Sequence, residues 1–235
     1  MNQEKYSDMQ RRQYEIEASR WSLSERDHVV GSFEAHNNHK DYEDFLLFGF
    51  DRPNLIALDF GCGPGRNLVH FGPQFKRMDG VDIAQNNLEK AKLWLTHNNV
   101  WKDDIRLIIC NGRDLANIEN DYYDLVISTI TLQHICVHSI RYSLFQEFHR
   151  VIKLGGWISL QMGYGPKVDM RQKADYYDDY VDAEGTNGHA DTMVTSPDQL
   201  SGDLTKIGFK NFYHDIRPTG PGDKHSAWIF FRAQK

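Results

Sequence analysis

Leu55-Ile-Ala-Leu-Asp-Phe-Gly-Cys-Gly-Pro-Gly65 is an apolar run that ends in an acid and then carries glycine at every second position. The apolar half reads as a buried strand, too short for a helix and closed by a turn signal. Glycine tolerates positive φ and lets a ligand approach the backbone without interference from a Cβ. In an open α/β sheet, ligands sit beyond the carboxyl ends of the strands, and Asp59, Gly61, Gly63 and Gly65 mark the first such end. Such a turn is shared by nicotinamide-binding folds and by plain tight turns. Its spacing, however, is D-x-G-x-G-x-G rather than the dinucleotide pattern G-x-G-x-x-G, and no Gly-Lys-Ser/Thr follows to make a P-loop.

Further along the chain, short apolar runs alternate with helical segments. Gly80–Ile83, Ile105–Cys110, Tyr123–Ser128 and Trp157–Met162 read as strands, and Asn86–Asn98 and Ser139–Val151 as helices. That alternation predicts βαβ units and a parallel sheet. Ser196-Pro197 starts a last helix with a serine N-cap and proline at the first helical position, and Gly208 ends it. Phe209–Ile216 and Trp228–Ala233 complete seven strands, the last two as a hairpin-like pair at the sheet edge, joined by a turn over Pro218–Asp223. The expectation is therefore a seven-stranded, mostly parallel, doubly wound sheet of Rossmann-like type, with N-terminal helices and a lid insertion after the fifth strand.

Two further acids fall at strand ends. Asp82 closes the second strand 23 residues after Asp59, where a carboxylate can take both hydroxyls of a ribose. Asp114 lies in Cys110-Asn-Gly-Arg-Asp-Leu115 after the third strand, and either meets a ligand or caps a helix.

Asp59–Gly65 resembles the first motif of the class I S-adenosylmethionine-dependent methyltransferases, and three more segments agree in order. Asp82-Ile83 is similar to the family's ribose-binding acid and the residue lying on the adenine. Cys110–Leu115 is similar to its adenine-site segment. Glu147–Gly156 is similar to its "RVLKPGG" stretch, a helix, a turn and a buried strand. The resemblance covers about residues 55–162 and implies S-adenosyl-L-methionine as cofactor. Asp59, Gly61, Cys62, Gly63, Gly65, Asn67, Asp82, Ile83, Arg113, Asp114, Leu115 and Ser128 are the implied cofactor-binding positions. Arg66 and Asn67 either meet the methionine carboxylate or only start a helix.

Methyl transfer from a sulfonium needs an aligned acceptor and, for a protonated acceptor, a base. Ser128–Ile135 follows the fourth strand, and His134 is its side chain with an ordinary pKa near neutrality. The stretch resembles that of small-molecule N- and C-methyltransferases, which carry a histidine there. Gln133 stands where their pattern often has glutamate, which weakens a carboxylate-assisted proton transfer. His134 is thus the candidate catalytic residue, against the plainer role of a backbone-bonded histidine at a helix start. Tyr6, Met9, Gln10, Tyr14, Ala18 and Trp21 fall near helical spacing, and Tyr14 and Trp21 are candidates to close the cofactor pocket, against simple core packing.

The 235 residues fit one α/β domain: a helical cap over 1–50, a cofactor-binding core over 55–162, an acceptor lid over 163–195, and a C-terminal helix with edge strands over 196–235. Ser24–Asp27 reads as a capping box for a short helix, and a further helix is expected over Asp41–Phe48. The formal net charge is −6 with no Lys/Arg block, which argues against a nucleic-acid partner or an acidic membrane. Cys62, Cys110 and Cys136 are an odd set without metal spacing and suit a reducing, cytoplasmic setting. His189, Asp191, His214 and His225 lack compact ligand spacing, so no metal is expected. The polar stretch Asn2–Arg12 gives no expectation of a secretory leader, and no apolar run approaches a membrane-spanning length. The leading expectation is methyl transfer to O or N of a small polar metabolite, sugar- or amine-like. Methylation of a protein or RNA, and a non-catalytic cofactor-binding interaction protein, stand as alternatives. Oligomeric state is not legible.

Overall fold

The computed structural model describes residues 3–22, 39–166, 173–179, 190–219 and 225–235. The expected capping box at Ser24–Asp27 and the turn over 220–223 lie outside these residues. The elements run α1 (Gln3–Ser19), α2 (His39–Phe45), β1 (Ile56–Phe60), α3 (Arg66–His70), β2 (Arg77–Asp82), α4 (Gln85–His97), β3 (Leu107–Ile109) and β4 (Tyr123–Ser128). They continue α5 (His138–Val151), β5 (Ile152–Tyr164), β6 (Lys173–Asp175), β7 (Asp191–Met193), α6 (Pro197–Ile207), β8 (Lys210–Pro218) and β9 (Ala227–Gln234).

Seven of the strands form one sheet in the order β3-β2-β1-β4-β5-β9-β8. β1 to β5 pair in parallel, and β9 enters antiparallel between β5 and β8. The seven-stranded Rossmann-like expectation is met, with the last two strands paired at the edge. The order reverses between β1 and β4, which places a crevice beyond their carboxyl ends.

Alternate strand residues feed two cores, as a sheet covered on both faces requires. Leu58, Val81, Val126 and Ile158 pack with Leu144, Phe145 and Phe148 of α5 and Leu200 and Leu204 of α6. Ala57, Leu125 and Ile127 pack on the other side with Leu68, Leu88 and Leu95 of α3 and α4, and with Tyr42 of α2. α6 opens as expected: the Ser196 side chain accepts from the Asp198 N–H, Gln199 completes a capping box, and Gly208 closes the helix at φ 116°.

Some boundaries differ. β2 starts three residues earlier than the apolar pattern shows, because Arg77 and Asp79 pair with each other at 3.0 Å rather than facing solvent alone. β3 shrinks to three residues, and residues 110–122 form turns with no helix between β3 and β4. β5 runs through the expected glycine turn, with an irregular register to β4 and Gly155 at φ 81°. Residues 163–195, a polar stretch, are expected as a lid insertion, with no strand anticipated in them. Their described parts include a parallel pair, β6 and β7, joined to β5 through a bridge from Tyr164 to Val194. Arg141 of α5, fully buried, ties this pair down. It donates to Thr192 Oγ1 at 2.9 Å and to the carbonyls of Tyr176 and Ile135.

Candidate functional site

A cavity of about 780 Å³ opens beyond β1, β2 and β4 and is roofed by α1. Its floor is the turn Phe60–Pro64 with Arg66 and Asn67, and one wall is Asp82, Ile83 and Asn87. Thr129–Thr131 and His134 form the opposite wall, and Gln10, Tyr14, Ala18 and Trp21 form the roof.

Gly61 holds the turn against the post-β4 loop. Its N–H donates to Val81 O at 2.8 Å, its φ is 70°, and a Cβ there would sit 2.2 Å from Thr131 Cγ2. Only glycine meets both demands. Gly65 lies below the cavity and starts α3.

Asp59 is buried under the turn. One of its oxygens accepts from Asn67 Nδ2 at 3.2 Å, and Asn67 also reaches Thr129 Oγ1 at 3.1 Å. Its second oxygen, Oδ2, is buried and has no hydrogen-bond partner among the described residues. Burial pushes the carboxyl up from 3.8 to about 7, against the opposing effects of Asn67 and Arg66. Ser128 is buried beside it and donates to Phe60 O at 2.8 Å. Asp59 and Ser128 therefore form the layer beneath the cavity.

Asp82 stands in the wall itself. Its Oδ2 accepts from the Gly63 N–H at 2.9 Å, and its Oδ1 from the Ala84 N–H at 2.9 Å and Asn87 Nδ2 at 3.0 Å. Burial raises its pKa, and these hydrogen bonds oppose the rise. Ile83, Cys62, Cys110 and Gly112 share this end of the cavity.

Arg113, Asp114 and Leu115 are not brought into it. They line a neighbouring cavity of about 410 Å³ against α1, which shares Cys110 with the larger one. Asp114 is occupied locally, accepting from Asn111 Nδ2 at 2.7 Å and the Ala116 N–H at 3.1 Å. The Leu115 N–H donates to Glu147 at 2.8 Å.

The aromatic stripe of α1 does face the cavity. Tyr14 is held protonated by burial, with the carboxylates of Glu17, Asp82 and Asp191 adding to the effect. Trp21 packs edge-on against Trp94 of α4 with ring centroids 6.2 Å apart. Glu15 fixes the roof by accepting the Gln85 and Asn86 N–H groups at 2.7 and 3.0 Å, at the start of α4.

His134 ends a 3-10 turn, Leu132–His134. Its carbonyl accepts from Tyr6 OH at 3.0 Å and Gln10 Nε2 at 2.6 Å, both from α1. Its ring Nδ1 lies 2.6 Å from Asp191 Oδ1 on β7. Nothing in the local sequence announces Asp191, which sits 57 residues later in a polar stretch. Ile130, also missed, has φ 53°. A β-branched residue there carries ~1–3 kcal/mol of strain, and such strain gathers at functional loops. His214 is exposed on β8, and His189 lies outside the described residues. No cluster of metal-ligating side chains is present among the described residues.

The arrangement fits the cofactor implied by the sequence. The cavity volume falls in the range of small-molecule sites. The turn's glycines leave its floor open, an acid lines the wall where a ribose would lie, and a buried carboxylate oxygen below the turn has no hydrogen-bond partner among the described residues.

Residues 58–160 match a family model described as a methyltransferase domain. The match assigns a methyltransferase domain to that segment, and with the fold and the four motifs the chain is similar to the class I, Rossmann-like S-adenosylmethionine-dependent methyltransferases. Among curated proteins it is similar to the ubiquinone biosynthesis O-methyltransferase of Nitrosomonas europaea. Identity is 27% over 118 residues, covering 50% of this chain and 47% of that protein. The chain thus spans about half the length of that relative. Among solved structures it is similar to the YcgJ protein of Bacillus subtilis, with a TM-score of 0.61 at 15% identity, covering 84% of this chain and 98% of that one. It is also similar to Haemonchus contortus phosphoethanolamine N-methyltransferase 2 in complex with S-adenosyl-L-methionine. There the TM-score is 0.62 at 17% identity, covering 85% and 52% of the two chains. At these identities the structural likeness concerns the fold.

Proposed function

We propose that the protein transfers a methyl group from S-adenosyl-L-methionine to O or N of a small polar metabolite, sugar- or amine-like. One observation carries this reading: His134, paired to a carboxylate, lines the same cavity as the glycine turn and Asp82. When bound, the cofactor supplies an activated methyl group. The residues that would hold it are Asp82 and Ile83 at the nucleoside end, Gly61–Gly63 and Asn67 at the turn, and Asp59 beneath. Tyr14 from α1 and Trp21 just beyond its end cover the cavity and exclude water.

His134 is the proton acceptor for the incoming hydroxyl or amine. Residues 163–195 act as the acceptor lid, a role supported by the position of β7 beside His134. A cytoplasmic setting is supported by three unpaired cysteines, and no helix among the described residues is long and apolar enough to cross a membrane.

Calorimetry with S-adenosylhomocysteine is expected to show one site in the wild type, weakened at least about tenfold by Asp82→Ala, or ~1.4 kcal/mol. On a panel of small hydroxyl and amine compounds, His134→Ala is expected to lower turnover by roughly 10²–10⁴-fold with S-adenosylhomocysteine affinity unchanged. Absence of binding refutes the cofactor assignment; unaffected turnover in His134→Ala refutes the base.

A further inference from the structure

The second oxygen of Asp191 has a neighbour of its own. His225 Nε2 lies 3.6 Å from Asp191 Oδ2, an ion-pair distance rather than a hydrogen bond. The carboxylate therefore stands between two imidazoles, one from the post-β4 turn and one from the segment before β9.

The placement of His225 is built by its surroundings. Its ring packs on Trp228, with centroids 4.6 Å apart, and only 5% of the residue is exposed. It also lies against the β5 backbone at Gly163, where a Cβ would sit 2.5 Å from the ring Nδ1. Its carbonyl accepts from Thr219 Oγ1 at 2.5 Å. Asp191 is held by β7, which pairs with β6 and is anchored next door through Thr192 to the buried Arg141.

We infer that Asp191 is the positioning residue of the methyl-transfer site, fixing the ring and tautomer of His134, with His225 flanking the other carboxylate oxygen. The inference rests on the reading of His134 as the base. His134 Nδ1 and Asp191 Oδ1 stand 2.6 Å apart as an ion-pair contact whose alignment falls short of a hydrogen bond; a ring rotation that turns an Nδ1–H onto Oδ1 makes Nε2 the nitrogen that takes the acceptor's proton. The balance is simple: the acceptor's O–H or N–H bond breaks, its electron pair forms the new bond to the methyl carbon, and its proton moves to Nε2. The resulting imidazolium keeps its Nδ1–H on Asp191, which stays ionised. Asp191 thereby supplies the carboxylate assistance that Gln133 cannot.

The test needs neither cofactor nor acceptor, so its failure is separable from failure of the methyltransferase reading. Protein labelled with ¹⁵N-histidine is examined by long-range ¹H–¹⁵N correlation, which reports the tautomer of each of the 11 histidines. His134→Gln identifies the signal by its loss. In the wild type His134 is expected in the Nδ1–H form. In Asp191→Ala, with folding checked by circular dichroism and melting, that form is expected to fall from the majority to the minority species. Asp191→Glu is expected to restore it in part. A His134 that holds Nε2–H in the wild type, or that keeps Nδ1–H in Asp191→Ala, overturns the assignment. Should the alanine variant fail to fold, the wild-type tautomer still decides.

Discussion

Asp59 offers a test in which stability and ligand binding move in opposite directions. Its carboxyl is carried by burial from 3.8 to about 7. The folded state therefore holds a proton that the unfolded chain has released, and stability falls as pH rises from about 4 to about 7. A rise of this size corresponds to ~4 kcal/mol of destabilisation once both states are ionised. Asp59→Asn removes the charge and keeps an oxygen for Asn67 Nδ2, but places an amide N–H₂ where Oδ2 has no partner. That new orphan donor costs about 1–3 kcal/mol. The net at pH 8 is a gain of ~2 kcal/mol, or roughly 4–8 °C in melting temperature for a chain of this size. At pH 5, where Asp59 is already protonated in the folded state, little or no gain is expected. Melting curves of wild type and variant at the two pH values measure this directly. Calorimetry with S-adenosylhomocysteine should show weaker binding in the variant, a trade of function for stability. A variant destabilised equally at pH 5 and pH 8 would refute the argument, since it would show that Asp59 ionises in the fold without penalty.

Two further substitutions probe different links. Gly61→Ala combines positive φ with a Cβ 2.2 Å from Thr131, and is expected to lower stability by roughly 2–4 kcal/mol and abolish cofactor binding; Thr131→Ser should recover part of the stability, as read by thermal melts. Ser196→Ala removes the N-cap of α6 far from the cavity and should cost about 1 kcal/mol in denaturant unfolding while leaving S-adenosylhomocysteine affinity unchanged.

The donor side of this molecule is legible in sequence because its parts are local. Asp59, the glycines and Asn67 fall within nine residues of chain, and Asp82 follows after one helical crossover. Strand, turn and helix signals there agree with each other, and the structure places the turn and Asp82 around one cavity. The less legible parts have equally local causes. Asp114 sits in a motif-like segment, but its oxygens accept from Asn111 and the Ala116 N–H, and Arg113 and Leu115 line the neighbouring cavity that shares Cys110 with the larger one. β6 and β7 escaped notice because three-residue strands within a polar stretch carry no usable alternation. Asp191 was invisible as a partner of His134 because the pair forms only once β7 is laid beside the post-β4 turn.

That distribution has a consequence for how specificity is encoded. The cradle is made by adjacent strand ends of one continuous sheet, whose register is enforced by two buried cores. The His134–Asp191 pair instead joins that sheet to an insertion held by Arg141 and by a few bridges. Substitutions within 163–195 can therefore alter the wall beside His134, the proposed acceptor wall, without disturbing β1 or β2, provided Arg141 keeps its carbonyl and hydroxyl partners. Arg141 is fully buried and bonded to three different segments, so its loss would leave carbonyls unpaired and release β7. It occupies neither cavity, yet it holds in place the carboxylate that faces the proposed base. On the proposed reading, the methyl donor is met by a rigid sheet edge, whereas the acceptor is met across a joint whose geometry depends on one buried cation.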